Sequence, residues 1–277
     1  MYQRMRSEAL SLATGAAAPV AALAAVSRRP WRAGAGRERR TVVVCPAGNG
    51  ADCRASGAAL LAALASIAAT AHDPCLLTIA PGVYDLGTLP LRMCAYVDIE
   101  GAGETATRLI ANIGVSNSGT VVGADDAELR RLTIENTGGG AFAVAIFNDG
   151  VAPRLSRLTA EASGGLASYG VYNCNGAAPA MSHVRALAAG RRCTIGIYND
   201  GAAPIMTHVS ATAAGGYVSY GIYNRDGAAP VMTHVRATAG CGDRTFGIYN
   251  EQDTWPTMID VTARALGGID NIDVYND

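Results

Sequence analysis

The chain has 277 residues, of which 22 are arginine and none lysine, against 23 acidic residues, for a formal net charge of −1. That balance gives no electrostatic footprint for a nucleic-acid partner, and no stretch is apolar for long enough to cross a bilayer as a helix. Hydrophobic residues make up 49% but aromatic ones only 6%, and 33 residues are glycine, a mixture suited to a narrow structure filled with thin layers.

The charge is uneven along the chain. Residues 1–40 carry eight arginines against Glu8 and Glu38, a net +6 that leaves −7 for the rest. Arg4 and Arg6 precede a weakly apolar stretch from Ala9 to Val26, broken by Gly15 and Pro19 and followed by Arg28 and Arg29. The order is similar to a secretory leader, with a disordered extension as the alternative. A leader implies an extracellular or cell-surface location; 41–277 then forms the folded domain. Basic residues with aromatic ones interleaved, the mark of a nucleic-acid arm, are missing. The seven cysteines contain no CxxC, so no zinc site and no other cofactor is implied. Cys45 with Cys53, or Cys75 with Cys94, would suit disulfides in an oxidising compartment.

From Thr41 to Val44 an apolar run predicts a first strand. Ser56 can cap a helix over 57–69, whose Leu60, Leu61, Leu64 and Ile67 form one apolar stripe. Short strands follow over 76–84 and 96–103. The order of this helix, then IAPGVY (79–84), VDIEGAGETATRLI (97–110) and TVVGADDAELRRLTIENTGG (120–139) resembles the opening of pectin methylesterases, right-handed parallel β-helices of the pectin-lyase-like superfamily. The resemblance covers about residues 41–146 and implies a capped β-helix, but it does not carry the esterase chemistry. Phe142 stands where the family places an oxyanion-stabilising glutamine. No carboxylate lies at 163–165, where its acid/base aspartate would fall, or near Ala186, where its nucleophile would fall. Trp255-Pro256 lacks the family's arginine.

Beyond residue 140 the chain repeats. Tyr172-Asn173, Tyr198-Asn199, Tyr223-Asn224, Tyr249-Asn250 and Tyr275-Asn276 recur every 25 or 26 residues, preceded by Phe147-Asn148. A period of this size marks a stacked solenoid. Within a unit apolar and polar residues alternate as in half-buried strands, and the alternation slips once, at Thr233-His234. A slip turns every later side chain to the other face unless the chain bends there. The expectation is an all-β, single-stranded, right-handed parallel β-helix with about 25 residues per coil. It comprises capped coils over 41–140 and regular repeats over 141–277, about nine coils in all at about 4.8 Å each.

Stacked coils turn equivalent residues into ladders, and four of these are candidate sites. Tyr172, Tyr198, Tyr223 and Tyr249 form a stripe that could bind carbohydrate or protein, or simply stack. His183, His208 and His234 share a column that could hold a metal or move protons, or stack at the bend in a structural role. Asp149, Asp200 and Asp226, with Asn175, read as turn residues of positive φ. Arg185, Arg236 and Arg264 form a solvated face or a grip for an acidic polymer. Outside the repeats, Asp125, Asp126 and Glu128 cluster with Arg130 and Arg131, candidate groups for catalysis on an acidic polysaccharide. The near-identity of coils 170–250 favours a non-catalytic module for surface display, adhesion or scaffolding that engages a polysaccharide or protein surface. A pectin-lyase-like lyase, hydrolase or esterase is the alternative, and a phage-type fibre segment a third. The last coil carries no visible cap, so a homo-oligomer or end-to-end contact there is a further expectation.

Overall fold

The computed structural model describes residues 40–46 and 52–277; of the expected leader or extension over 1–40, all but Arg40 lies outside them. Every ladder between strands is parallel, and the one antiparallel pairing is an isolated bridge between Thr70 and Asp73. Parallel neighbours need a long connection; in the repeats it is the remainder of one coil, so that Tyr172 pairs with Tyr198 and Tyr198 with Tyr223.

Two parallel sheets form the walls. The first runs from Arg40–Val44 through Cys75–Ile79 and Val97–Gly101 to Glu128–Asn136, Arg154–Ala162, Ala180–Ala189, Val231–Gly240 and Thr257–Leu266. One of its rungs is split into Ile205–Thr207 and Ser210–Ala214. The second sheet has eight strands, from Leu91–Arg92 to Asp270–Asn276. The solenoid therefore completes about eight turns where the spacing predicts nine. Arg40–Val44 leads toward the helix and has no counterpart in the second sheet, so it opens the stack without making a turn.

The bend expected at His234 is present and recurs. Arg131, Arg157, His183, His208, His234 and Asp260 occupy one column, all with φ between 52° and 60°. A single left-handed residue turns the strand and resets its alternation. Leu155, Met181, Met206 and Met232 before the bend, and Leu158, Val184, Val209 and Val235 after it, therefore all reach one interior. Ile146, Val171, Ile197, Ile222 and Ile248 meet them from the second sheet.

The helix spans Cys53–Ala65, four residues earlier than expected. Its N-cap is Asp52, which accepts from the backbone N–H groups of Arg54 and Ala55, and Ser56 lies inside the first turn. Leu60 and Leu64 are buried, Leu61 and Ile67 partly so. A Cβ at Gly57 would overlap the Asp85 carbonyl, so the helix rests directly on the backbone of Gly82–Asp85. Cys45 and Cys94 are free thiols, so neither expected disulfide is formed.

The regular coils are thin. A Cβ at Gly170, Gly196, Gly221 or Gly247 would lie 2.5–2.9 Å from backbone of the next coil and of the opposite wall. None of these four has positive φ; they are glycine because the walls touch. Beside them runs an amide ladder, in which Asn148, Asn173, Asn199, Asn224 and Asn250 each donate to the next asparagine, ending at Asn276, over 2.7–2.9 Å. Burying these amides is tolerated because they pair along the axis; only the Oδ1 of Asn148, at the start of the ladder, is buried without a partner among the described residues.

Candidate functional site

The tyrosine column lies on the outer face of the second sheet, as its alternation requires, and is twice as wide as the sequence suggests. Tyr169, Tyr220 and Phe246 lie beside it. Tyr169 stacks against both Tyr172 (5.4 Å between ring centres) and Tyr198 (5.5 Å), and Tyr220 against Tyr223 (4.7 Å) and Phe246 (5.2 Å). Along the column the centres are 4.7–5.4 Å apart from Phe147 to Tyr275. Residues three apart should point to opposite faces of a strand. Here the intervening glycine drops out of the pairing, so that Tyr169 and Val171 are paired but Gly170 is not, and both aromatics emerge on the same side.

The rings largely cover one another: Tyr198 is only 7% exposed and Phe246 1%. Tyr172, Tyr223 and Tyr249 keep part of their surface exposed. The hydroxyls meet a polar column, in which Tyr172 Oη donates to Asp200 (3.5 Å) and Tyr223 Oη to Glu251. Arg225 spans Asp200 (3.5 Å) and Asp226 (2.5 Å). Burial, with the Asp200 charge second, pushes the Tyr172 phenol up to about 12. Burial likewise raises the Cys174 thiol to about 12, which makes it a poor nucleophile.

Two ladders differ from the expected alignment. Asp200 pairs with Arg225, not Asp226. The left-handed turn positions are Asn175 and Asp226, whereas after Asp149 and Asp200 the positive φ belongs to Gly150 and Gly201; coils of 25 and 26 residues place the turn one residue apart. Arg264 pairs with Thr238, and Thr262 stands in register with Arg236, so Arg264 belongs to another column than Arg185 and Arg236.

His183, His208 and His234 stand at the bend with exposed rings. The centres are 5.0 Å apart at 7° between the first two and 4.9 Å apart at 30° between the last two. Ser182 Oγ meets His183 Nδ1 at 2.9 Å, and Asp260 meets His234 Nδ1 at 2.5 Å. Stacked rings send their nitrogens out in parallel, whereas a tetrahedral ion needs convergent ligands. Among the described residues no group of three or more His, Cys, Asp or Glu is arranged to hold a metal.

The carboxylate–arginine cluster is a closed network. Arg130 bridges Glu128 (2.8 Å) and Glu100 (2.7 Å), while Arg131 takes the other Glu100 oxygen (3.0 Å). Glu128 also accepts from Ser156 (2.9 Å) and faces Arg154 at 3.7 Å. The Arg130 hydrogen bond holds the Glu100 carboxyl below its usual range, the opposite of what a general acid needs. Asp125 accepts from the Ala152 backbone N–H (2.9 Å), and Asp126 is a left-handed turn residue. Both aspartates thus shape backbone. Ala186, at the position of the family's nucleophile, is fully buried in the interior.

No protein-family model and no curated protein matches the chain. Solved structures do align with it. Open reading frame 18 of Geobacillus virus E2 aligns at 10% identity and a TM-score of 0.42, over 85% of this chain and 61% of that one. This chain therefore spans under two thirds of the viral protein's length. A pectin methylesterase in complex with a hexasaccharide aligns at 12% identity and 0.38, over 70% and 75%. The A-module of a mannuronan C-5 epimerase from Azotobacter vinelandii aligns at 11% and 0.27, over 81% and 93%. The strand topology itself is decisive: parallel rungs in two walls, turned by a left-handed residue and opened by a helix. The fold is a parallel β-helix.

In this β-helix the sequence reading missed Glu100, Asp98 and Arg154, which complete the charged network. Register would have found them, since Glu100 pairs with Arg130 and Glu128 with Arg154. The first coils depart from the 25-residue period, with 30 residues between Glu100 and Arg130, and this hides the columns. For Tyr169, Tyr220 and Phe246 the signal was present as SYGVYN, SYGIYN and TFGIYN, and the glycine bulge was the part not anticipated. Among the described residues no helix is long and apolar enough to cross a membrane.

Proposed function

We propose that this β-helix is a non-catalytic module for surface display or adhesion, whose ladder-bearing sides engage carbohydrate or another protein. The observation that carries the reading is the closure of the carboxylate–arginine cluster. Glu100 and Glu128 are committed to Arg130 and its neighbours, Asp125 to a backbone N–H, and the remaining coils repeat the same groups in register. Acid–base catalysis needs a carboxylate poised to exchange a proton, whereas a repeating surface suits a repeating partner. Half-exposed Tyr172, Tyr223 and Tyr249 contribute ring edges and hydroxyls to such a surface.

A panel of neutral and acidic polysaccharides offered to the full-length protein, scored for both retention and release of reducing or unsaturated ends, tests this. The expected result is retention without release, weakened in Tyr223→Ala. Release that disappears in Asp125→Asn or Glu128→Gln would make the protein a carbohydrate-active enzyme and sink the proposal.

A further inference from the structure

The turns that lead from the second sheet to the first read GAAPA over 176–180, GAAPI over 201–205, GAAPV over 227–231 and DTWPT over 253–257. Backbone hydrogen bonds hold them in register, Ala203 donating to Ala177, Ala229 to Ala202 and Trp255 to Ala228. In the three alanine turns the first alanine and the proline are buried. The second alanine and the residue after the proline lie at the surface, giving two adjacent columns: Ala178, Ala203, Ala229 and Trp255, then Ala180, Ile205, Val231 and Thr257. Ile205 is 54% exposed, Val231 38% and Trp255 72%. Across the three alanine turns neither column holds a charge or a side chain that hydrogen-bonds. Exposed apolar side chains gathered in one place and rimmed by polar ones mark a contact surface.

Chain order within a coil sets what borders this strip. Three residues before the first column stand Asp149, Asn175, Asp200 and Asp226. Three residues after the second stand Arg157, His183, His208 and His234, with Arg185 and Arg236 two residues beyond the first and last of these histidines. Asp149, Asp226, Arg157, Arg185 and Arg236 are exposed. Arg225 folds onto Asp200 and Asp226, and Asp260 onto His234, but among the described residues no ion pair engages Asp149, Arg157, Arg185 or Arg236. The strip is thus acidic along one side, basic along the other and uncharged between.

From this geometry we infer that the strip is the contact of a parallel two-fold dimer of this chain. A second copy given a half-turn about an axis along the strip lays its basic side on the acidic side of the first, and does so at both flanks. Each rung then meets its own counterpart: Asp149 faces the partner's Arg157, and the small Ala203 faces the partner's Ile205. A half-turn about the axis across the strip instead sets acid against acid and alanine against alanine. Charge at the rim and apolar groups at the centre are the usual anatomy of such a contact. The contact lies between the aromatic and bend ladders and does not depend on the display reading above.

Sedimentation equilibrium of the full-length protein at low and high salt tests the dimer. A monomer–dimer equilibrium is expected, weakened by about tenfold at the higher salt because the flanking charges are screened. Ile205→Arg places a charge at the centre of the strip, on an exposed side chain, and should weaken the dimer by about a hundredfold while the β signal in circular dichroism is unchanged. Asp149→Arg sets arginine against the partner's Arg157 at both flanks and should weaken it as well. Adding Arg157→Asp to that variant should restore the dimer, since aspartate tolerates the left-handed backbone of this column and Asp260 already occupies it. Should the variants lose the β signal, small-angle X-ray scattering of the unmodified protein decides: side-by-side copies widen the particle, whereas end-to-end copies lengthen it. A monomer at about 1 mM protein, a dimer indifferent to Ile205→Arg, a charge-swapped variant no better than Asp149→Arg alone, or a lengthened particle would overturn the inference.

Discussion

Two kinds of glycine serve the repeat for opposite reasons. Gly221 has no positive φ, but a Cβ there would sit 2.5 Å from the Gly247 carbonyl oxygen and 2.7 Å from the Thr238 nitrogen. Gly227 has open space around it and a φ of +78°. Gly221→Ala must therefore push two walls apart, an overpacking cost of about 1–3 kcal/mol or more. Gly227→Ala pays only left-handed strain of about 1–2 kcal/mol. Thermal unfolding should show Gly227→Asn recovering part of the loss, since Asn visits that region readily, while Gly221→Asn is worse than Gly221→Ala. Equal recovery at both sites would refute the wall-contact explanation. The bend residues make a related point: Arg, His and Asp all occupy left-handed backbone there, so the bend itself does not dictate histidine.

At the scale of the strand, the second sheet is held from both sides. Inside, the asparagine ladder satisfies buried amides; outside, the rings pack in two columns, each pair contributing about 0.5–1.5 kcal/mol beyond its buried area. The phenols of Tyr172 and Tyr220 are both pushed up to about 12, mainly by burial. A raised phenol binds its proton more tightly in the folded state than in the unfolded one, where it titrates near about 10. The stability linked to that proton is complete below about pH 10 and is lost as pH rises toward about 12. An alkaline titration followed by tyrosinate absorbance and circular dichroism should show the stripe ionising together with loss of the β signal. Tyrosines that all ionise near pH 10 in an intact fold would contradict the packing described.

At the scale of the whole β-helix each coil touches only its neighbours, so stability is local and the two ends of the stack differ. The helix Cys53–Ala65 buries Leu60 and Leu64 over the first coils, but the last rung has no such cover among the described residues. Met258 and Val274 continue the core ladders yet are 42% and 41% exposed, and Ile269 is 85% exposed. Amide exchange should accordingly be fast over 257–276 and slow over 128–250. Equal protection over the two ranges would contradict the difference in burial between them.

The repeat made the architecture legible, because a 25- or 26-residue period allows only a stacked coil, and a one-residue slip in alternation allows only a bend if both segments share a core. Phe142 and the run around Ala186 likewise were the residues from which the sequence led one to expect that the esterase chemistry is not carried over. What remained hidden depended on register between coils of unequal length. The pairing of Glu100 with Arg130, the separation of Arg264 from Arg185 and Arg236, and the second aromatic column released by the glycine bulge all follow from which residue stacks on which. A one-residue difference in coil length moves a side chain into another column. Sequence spacing averages over such differences, and only the folded stack resolves them.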